Sequence, residues 1–175
     1  ININDLKKKI TNKTKVIVAV HVLGNSSNID EIKKICNKKK IILIEDTCES
    51  LGTKYKNKYL GTFGDFGTYS FYYSHQITSG EGGMIVCNSD EDYDILLSLR
   101  SHGWARNLLK QKKYERKFKN LDNRFIFLNS GFNLRPTEIQ AAIAKNQFSR
   151  INQISKIKNF NHNSIRKHLK KSKKW

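Results

Sequence analysis

Short apolar runs alternate with amphipathic stretches through the first half of the chain. Lys15 to Val20 (KVIVAV) and Lys40 to Glu45 (KIILIE) are continuous, β-branched and bounded by turn residues, so each predicts a buried strand. Between them, Asp30 is a candidate cap for a helix reaching about Cys36, with Ile32 and Ile35 on its apolar side. A strand–helix–strand unit predicts a parallel pair. Asp5 to Ile10 predicts a short helix before it. Downstream, aromatics recur with a period of two among glycines. KYKNKY predicts a hairpin with Lys56-Asn57 near its tip, Phe66 to Tyr72 a third long strand, and Met84 to Cys87 a fourth. Asp90 to Arg100 has the capping and the i, i+4 apolar spacing of a helix, through Tyr93, Leu96 and Leu97. The pattern is that of an α/β domain.

The second half reads differently. Gly103 to Asn129 predicts a polar, basic loop with interspersed aromatics. In GFNLRPTEIQAAIA, Pro136 suits the first turn of a helix and Glu138 the positive end of its dipole. The helical pattern continues through much of the remaining chain, with Asn159 to Asn163 (NFNHN) as a candidate interruption. There is no internal repeat and no domain linker. The chain stops at Trp175 inside a Lys-rich helical pattern, with neither a cap nor a closing strand, which predicts a truncated end.

Composition narrows the classes. The 175 residues carry a net charge of +18 and are 38% hydrophobic, too apolar for a disordered polyelectrolyte. No apolar run approaches the ~18 residues of a membrane helix. INDLKKKITNKTK lacks the apolar core of a signal peptide. Cys36, Cys48 and Cys87 are odd in number and irregularly spaced, unlike a disulfide framework or a zinc site, and suggest a reducing, cytoplasmic setting. The basic excess raises nucleic acid as a partner, but its distribution argues against that. No acidic residue follows Glu138. Ten basic residues lie between Lys145 and Lys174, alternating with Ile151, Ile154, Ile157, Ile165 and Leu169 as on the solvated face of one helix.

Three segments carry candidate chemistry. The strand KIILIE delivers Asp46 to its C-terminal edge, where α/β sheets place ligands. A carboxylate there can hold a heterocyclic nitrogen protonated; spacing alone equally allows a cap or a turn. In SFYYSHQITSGEGGMIV, Ser70 ends a strand, His75 lies five residues on, and Gly80, Gly82 and Gly83 allow close backbone approach to a ligand. A structural loop histidine and a plain turn fit these residues as well. There is no GKS or GKT, so this is not a nucleotide-triphosphate loop. Asn133 and Arg135 stand just before a predicted helix N-terminus, a place suited to an anion.

The order HVLGN, IEDTCESLGTKYKNKYLGTFGDFGTYSF, SGEGGMIV and GFNLRPTEIQAAIA, from about Lys15 to about Phe148, resembles the DegT/StrS family of sugar aminotransferases. The resemblance implies an aspartate-aminotransferase-type fold (pyridoxal-phosphate-dependent transferase type I), with a large domain on a mixed, mostly parallel sheet and a smaller C-terminal domain. Residues 1–150 would be the central part of the cofactor-binding large domain and residues 151–175 a helix leading toward the small one. A phosphate loop and a ring-stacking aromatic would precede Ile1, in a protein roughly twice this length. The implied cofactor is pyridoxal 5'-phosphate or pyridoxamine 5'-phosphate. Asp46 matches the aspartate that pairs with the pyridine nitrogen, Glu49 a residue beside the ring and its hydroxyl, and Ser70 the serine at the cofactor phosphate. Asn133 matches an asparagine that reaches the neighbouring subunit's phosphate, which implies a homodimer with shared sites.

One departure redirects the expected reaction. Aminotransferases of the family have a lysine just before the Gly-rich loop that tethers the cofactor covalently; this chain has His75. An imidazole cannot make that link but can act as a general base near neutral pH. The same replacement marks the family's sugar 3-dehydratases. The resemblance therefore implies loss of the C3 hydroxyl from a nucleotide-linked 4-keto-6-deoxy sugar, with His75 and Asp46 as catalytic residues and glutamate as a possible amino donor. The alternative is an aminotransferase, or an inactive paralogue, on the same scaffold; it would need another lysine at the cofactor, and Lys54 and Lys58 lie in the hairpin. The segment RSHGWARN has no cysteine, which disfavours the branch that carries an iron–sulfur cluster.

Overall fold

A computed structural model describes residues 1–170. Helix α1 (Ile3–Lys9), capped by the Asn2 side chain, leads into strand β1 (Val16–Val20). Helix α2 (Ile29–Lys39) crosses to strand β2 (Ile42–Asp46), and β1 and β2 pair in parallel as the strand–helix–strand pattern predicts. A two-stranded hairpin, β3 (Lys54–Tyr55) and β4 (Lys58–Tyr59), follows. Lys56 and Asn57 both have positive φ, 47° and 64°, as its two-residue turn requires. Strand β5 (Phe66–Ser70) adds to β2 in parallel, and β6 (Gly83–Cys87) adds to β5 antiparallel. The four-stranded sheet has the order β1-β2-β5-β6.

One face of this sheet makes the core. Ile17 and Ala19 of β1 and Leu43 of β2 pack against Ile29, Ile32 and Cys36 of α2, closed by Leu60 and Phe63. The other face is open: Val16, Val18, Val20, Ile42 and Ile85 are exposed. The expectation of two strands buried on both faces is therefore corrected. Each is buried on alternate residues only, because among the described residues helices pack on one side. The cap of α2 is likewise Asn28, whose side chain accepts from the Glu31 N–H. Asp30 instead bonds the hairpin, taking the Tyr55 hydroxyl at 3.2 Å and the Lys56 ammonium.

Helix α3 (Asp90–Arg100) spans its predicted range, but the buried positions are Asp94 and Ser98, and Tyr93 faces solvent. The reason lies in the next segment. Gly103 to Asn129 is not a plain loop. It contains helix α4 (Gln111–Lys117) and a 3₁₀ turn, and folds around Ala105, Leu108 and Ile126, with Leu97, Tyr114, Phe118 and Leu128 against them. Asp94 draws it onto α3 by accepting from the Leu109 and Lys110 N–H groups at 2.7 and 3.1 Å.

Helix α5 (Glu138–Ser149) starts two residues after Pro136, the residue expected in its first turn. Thr137 is its cap, in a reciprocal capping box with Gln140, and Pro136 precedes the cap. Helix α6 (Ile151–Leu169) follows after a break at Arg150. The predicted interruption at Asn159 to Asn163 falls inside α6 and is corrected, since polar side chains there face water and leave the helical backbone intact. Neither helix buries a residue fully, and Ile157, Phe160, Ile165 and Leu169 are exposed. The basic face is thus shared between two helices; Lys171, Lys173 and Lys174 lie outside the described residues. No described helix is long and apolar enough to cross a membrane.

Candidate active site

The C-terminal ends of β2 and β5 are neighbours, with Asp46 paired to Thr68. Asp46 is the last residue of β2 and Ser70 the last of β5. Parallel pairing of these strands is what brings the two side chains to one sheet edge. Asp46 accepts from the Cys48 N–H at 3.1 Å, and Ser70 Oγ accepts from the Tyr72 N–H at 3.2 Å. The Cys48 thiol is pushed up to about 11, first by burial and then by the hydrogen bond and charge of Asp46. A negative Asp46 at this edge keeps its neighbouring thiol protonated.

The segment after β5 turns back over the same edge. The Gln76 amide donates to the Glu49 carbonyl at 2.5 Å, tying the His75 loop to the chain beyond Asp46. His75 N–H closes a turn on the Tyr72 carbonyl, and its ring lies edge-on to Tyr72 with centroids 5.8 Å apart. Its Nδ1 is buried and has no hydrogen-bond partner among the described residues. Ser50 Oγ and Gln76 Oε1 are in the same condition. Native interiors seldom leave such atoms unpaired, and three of the four such atoms among the described residues lie in the segments joined at this edge, where a polar ligand would satisfy them. The Gly-rich stretch folds back on the end of β5: Phe71 N–H donates to the Gly82 carbonyl, and Ser79 N–H donates to the Phe71 carbonyl.

Two predicted residues behave differently. The Glu49 carboxylate accepts from the Leu23 N–H at 2.9 Å and so holds the loop after β1, where Leu23 has φ 53°. Asn133 is exposed and forms an isolated β-bridge with Ser101, at the end of α3; the described contacts do not bring it to Asp46, Ser70 and His75. Arg135 does not wait at a free helix end. It stacks 5.4 Å from the Trp104 ring, which Arg106 also covers at 4.6 Å, and the α5 cap already uses the N–H of Gln140. Lys54 and Lys58 lie over the Tyr59 and Phe63 rings.

The sequence reading assigned nothing to Glu45. It is fully buried and accepts four hydrogen bonds: His21 Nε2 at 3.1 Å and Gly61 N–H at 2.8 Å on one oxygen, Phe63 N–H at 2.6 Å and Gly64 N–H at 2.7 Å on the other. Burial pushes its carboxyl up, but the hydrogen bonds outweigh it and hold the group below its ordinary value. The signal was present: a charged residue in the last buried position of an apolar strand, with a glycine-rich turn downstream to surround it.

The mixed, mostly parallel sheet of this chain is that of the pyridoxal-phosphate-dependent aminotransferase fold. Residues 1–174 match the DegT/DnrJ/EryC1/StrS aminotransferase family, and the chain is a member of it. It is 45% identical over 153 residues to GDP-4-keto-6-deoxy-D-mannose 3-dehydratase of Escherichia coli O55:H7, which covers 86% of this chain and 39% of that protein. A crystal structure of a histidine-to-asparagine variant of GDP-4-keto-6-deoxymannose-3-dehydratase with bound GDP-perosamine superimposes with a TM-score of 0.85. It is 39% identical and covers 98% of this chain and 45% of its own. A second structure of that dehydratase, with a trapped PLP-glutamate geminal diamine, has a TM-score of 0.77 at 43% identity over 87% of this chain and 40% of that one. The chain thus spans well under half the length of the relatives it matches.

Proposed function

We propose that the protein containing this chain removes the C3 hydroxyl of a nucleotide-linked 4-keto-6-deoxy sugar with pyridoxamine 5'-phosphate as cofactor. The observation that carries the reading is His75, with its buried, unpaired Nδ1, at the sheet edge that also holds Asp46 and Ser70. The donor set fits a pyridoxal-type group: an anionic carboxylate for a ring nitrogen, a hydroxyl for a phosphate, and orphaned polar atoms around them.

When bound, pyridoxamine phosphate supplies an amine that condenses with the sugar ketone and a ring that withdraws electrons. Asp46 keeps the ring nitrogen protonated through its negative charge. Ser70 donates its hydroxyl to the phosphate, and Glu49 fixes the loop beside the ring. His75 takes the proton from the cofactor's methylene carbon and returns it to the departing C3 oxygen. Because His75 stands where a tethering lysine would, it would leave the cofactor amine without a covalent link to the chain. Lys54 and Lys58, in the hairpin after Asp46, are occupied on aromatic rings, which weighs against an aminotransferase. Arg106 and Arg135, packed on Trp104, offer cations to the diphosphate of a nucleotide sugar.

The same reading takes residues 1–150 as part of the large domain and residues 151–175 as the start of a link to a smaller one. It makes the protein a cytoplasmic homodimer in which Asn133 reaches the partner's cofactor phosphate, with glutamate as the amino donor that regenerates the amine form. The test is direct. Full-length protein given pyridoxamine phosphate and a panel of 4-keto-6-deoxy nucleotide sugars should release the C3 oxygen, seen by mass spectrometry, and His75→Ala should abolish that release. A pyridoxyl-lysine in the site after borohydride reduction with pyridoxal phosphate overturns the reading.

A further inference from the structure

Glu45 and Asp46 are adjacent on β2, so their side chains point to opposite faces of the sheet. Glu45 faces the core side with Leu43, and Asp46 faces the open side. His21 touches both. Its ring donates from Nε2 to Glu45, while its backbone N–H donates to the Asp46 carbonyl at 3.0 Å. His21 Nδ1 accepts from the Ser27 N–H at 3.1 Å, which assigns the hydrogen to Nε2 and makes the ring a neutral donor. The buried pair is therefore one fixed anion with its donors rather than two exchanging charges.

Through its other bonds Glu45 reaches the strand that carries Ser70. It holds the Gly61 to Gly64 turn, and Gly61 lies so close over β5 that a Cβ on Gly67 would stand 1.9 Å from the Gly61 carbonyl oxygen. Tyr69, next to Ser70, donates its hydroxyl to the Leu60 carbonyl at 2.8 Å. One carboxylate thus connects the loop after β1, the end of β2 and the turn seated on β5.

We infer that Glu45 is a positioning residue for the cofactor site, a buried anion that fixes the Asp46 backbone through His21 and the Ser70 strand through the Gly61–Gly64 turn. This rests on the cofactor reading above, with Asp46 as the partner of the ring nitrogen. Glu45 does not touch the cofactor; it sets where Asp46 stands.

The experiment uses full-length protein, Glu45→Gln, Asp46→Asn and the double variant, each assayed below its own unfolding temperature. The readouts are the Kd for pyridoxal 5'-phosphate, the absorption-detected pH titration of the bound ring, and amide hydrogen exchange at Gly61, Phe63 and Gly64. Glu45→Gln should speed exchange at the three amides and weaken cofactor binding about tenfold, within the span of couplings through one hydrogen-bond network. It should also shift the ring titration in the same direction as Asp46→Asn, and the double variant should titrate as Asp46→Asn does. A folded Glu45→Gln protein with wild-type Kd and ring titration, or a double variant whose ring titration moves beyond that of Asp46→Asn, overturns the proposal and reduces Glu45 to a stabiliser of the fold. If Glu45→Gln does not fold, His21 decides. His21→Gln retains an amide donor for Glu45 and an oxygen for the Ser27 N–H and should bind cofactor normally; His21→Leu has neither and should bind about tenfold more weakly. Equal affinity in the two overturns the proposal. Asp46→Asn with unchanged Kd and ring titration overturns the cofactor reading itself, and the role of Glu45 with it.

Discussion

The sheet edge and the pair α5–α6 obey different rules. At the edge, conformation is set by contacts between residues far apart in sequence: Glu45 binds partners 16 to 24 positions away, and the turn it holds has backbone groups with no helix or strand to satisfy them. In α5 and α6 almost every backbone bond is internal, the ends are closed by neighbours, and no side chain is fully buried. The first region spends its polar groups on tertiary structure, the second on local structure. A change at the edge should therefore propagate, and a change in the helices should stay where it is made.

The sharpest contrast is expected at Glu45. Glu45→Ala leaves three buried N–H groups and the His21 ring unpaired, and should cost about 3–5 kcal/mol in urea unfolding at neutral pH. The sign with pH follows from the depressed carboxyl. The stability that Glu45 contributes is present above its unfolded value of 4.5 and is lost as pH falls through the lower folded value, so Glu45→Gln should flatten that part of the acid limb. Next is Cys48, whose thiol shifts from 9.0 to about 11. Its alkylation by iodoacetamide at pH 8 should lag a free peptide thiol about a hundredfold, and should quicken when Asp46→Asn removes the adjacent charge. In the helices the effects shrink. Thr137→Ala removes the α5 cap and should cost about 1 kcal/mol, with faster amide exchange confined to the first turn. Ile157→Ser, on the exposed apolar side of α6, should stay within about 0.5 kcal/mol of wild type. A loss at Ile157 comparable to that at Glu45 would erase the distinction between the two regions.

Legibility in the sequence followed the same division. The parallel β1–α2–β2 unit, the hairpin turn at Lys56-Asn57 and the span of α3 were readable because each rests on local periodicity or turn chemistry. Helix starts were misplaced by two residues: Asn28 rather than Asp30 caps α2, because Asp30 has a tertiary partner, and α5 begins after Thr137 rather than at Pro136, because the capping box with Gln140 sets its first turn. Gly103 to Asn129 looked like a loop because its small core borrows Leu97 from α3 and its polar ties end on Asp94 and Ser98. Asp46, Ser70 and His75 were singled out from motif order, and the structure places Asp46 and Ser70 at the ends of neighbouring strands. Glu45 was passed over because its signal, the alternation with Leu43 and the glycine-rich turn downstream, gains meaning only once that turn is seen to close over it.

The sequence by itself determined where strands and helices form, which residues stand at the ends of β2 and β5, and that an imidazole occupies the loop after them. Those are properties of short windows, fixed by periodicity, turn residues and side-chain chemistry. Tertiary structure alone decided that Glu45 is the buried anion and Asp46 the outward one, that Glu49 grips the Leu23 loop, and that His75 keeps an unpaired nitrogen at the edge. A carboxylate is tolerated inside only where donors from separate segments converge on it, and that convergence exists only after the strands have paired.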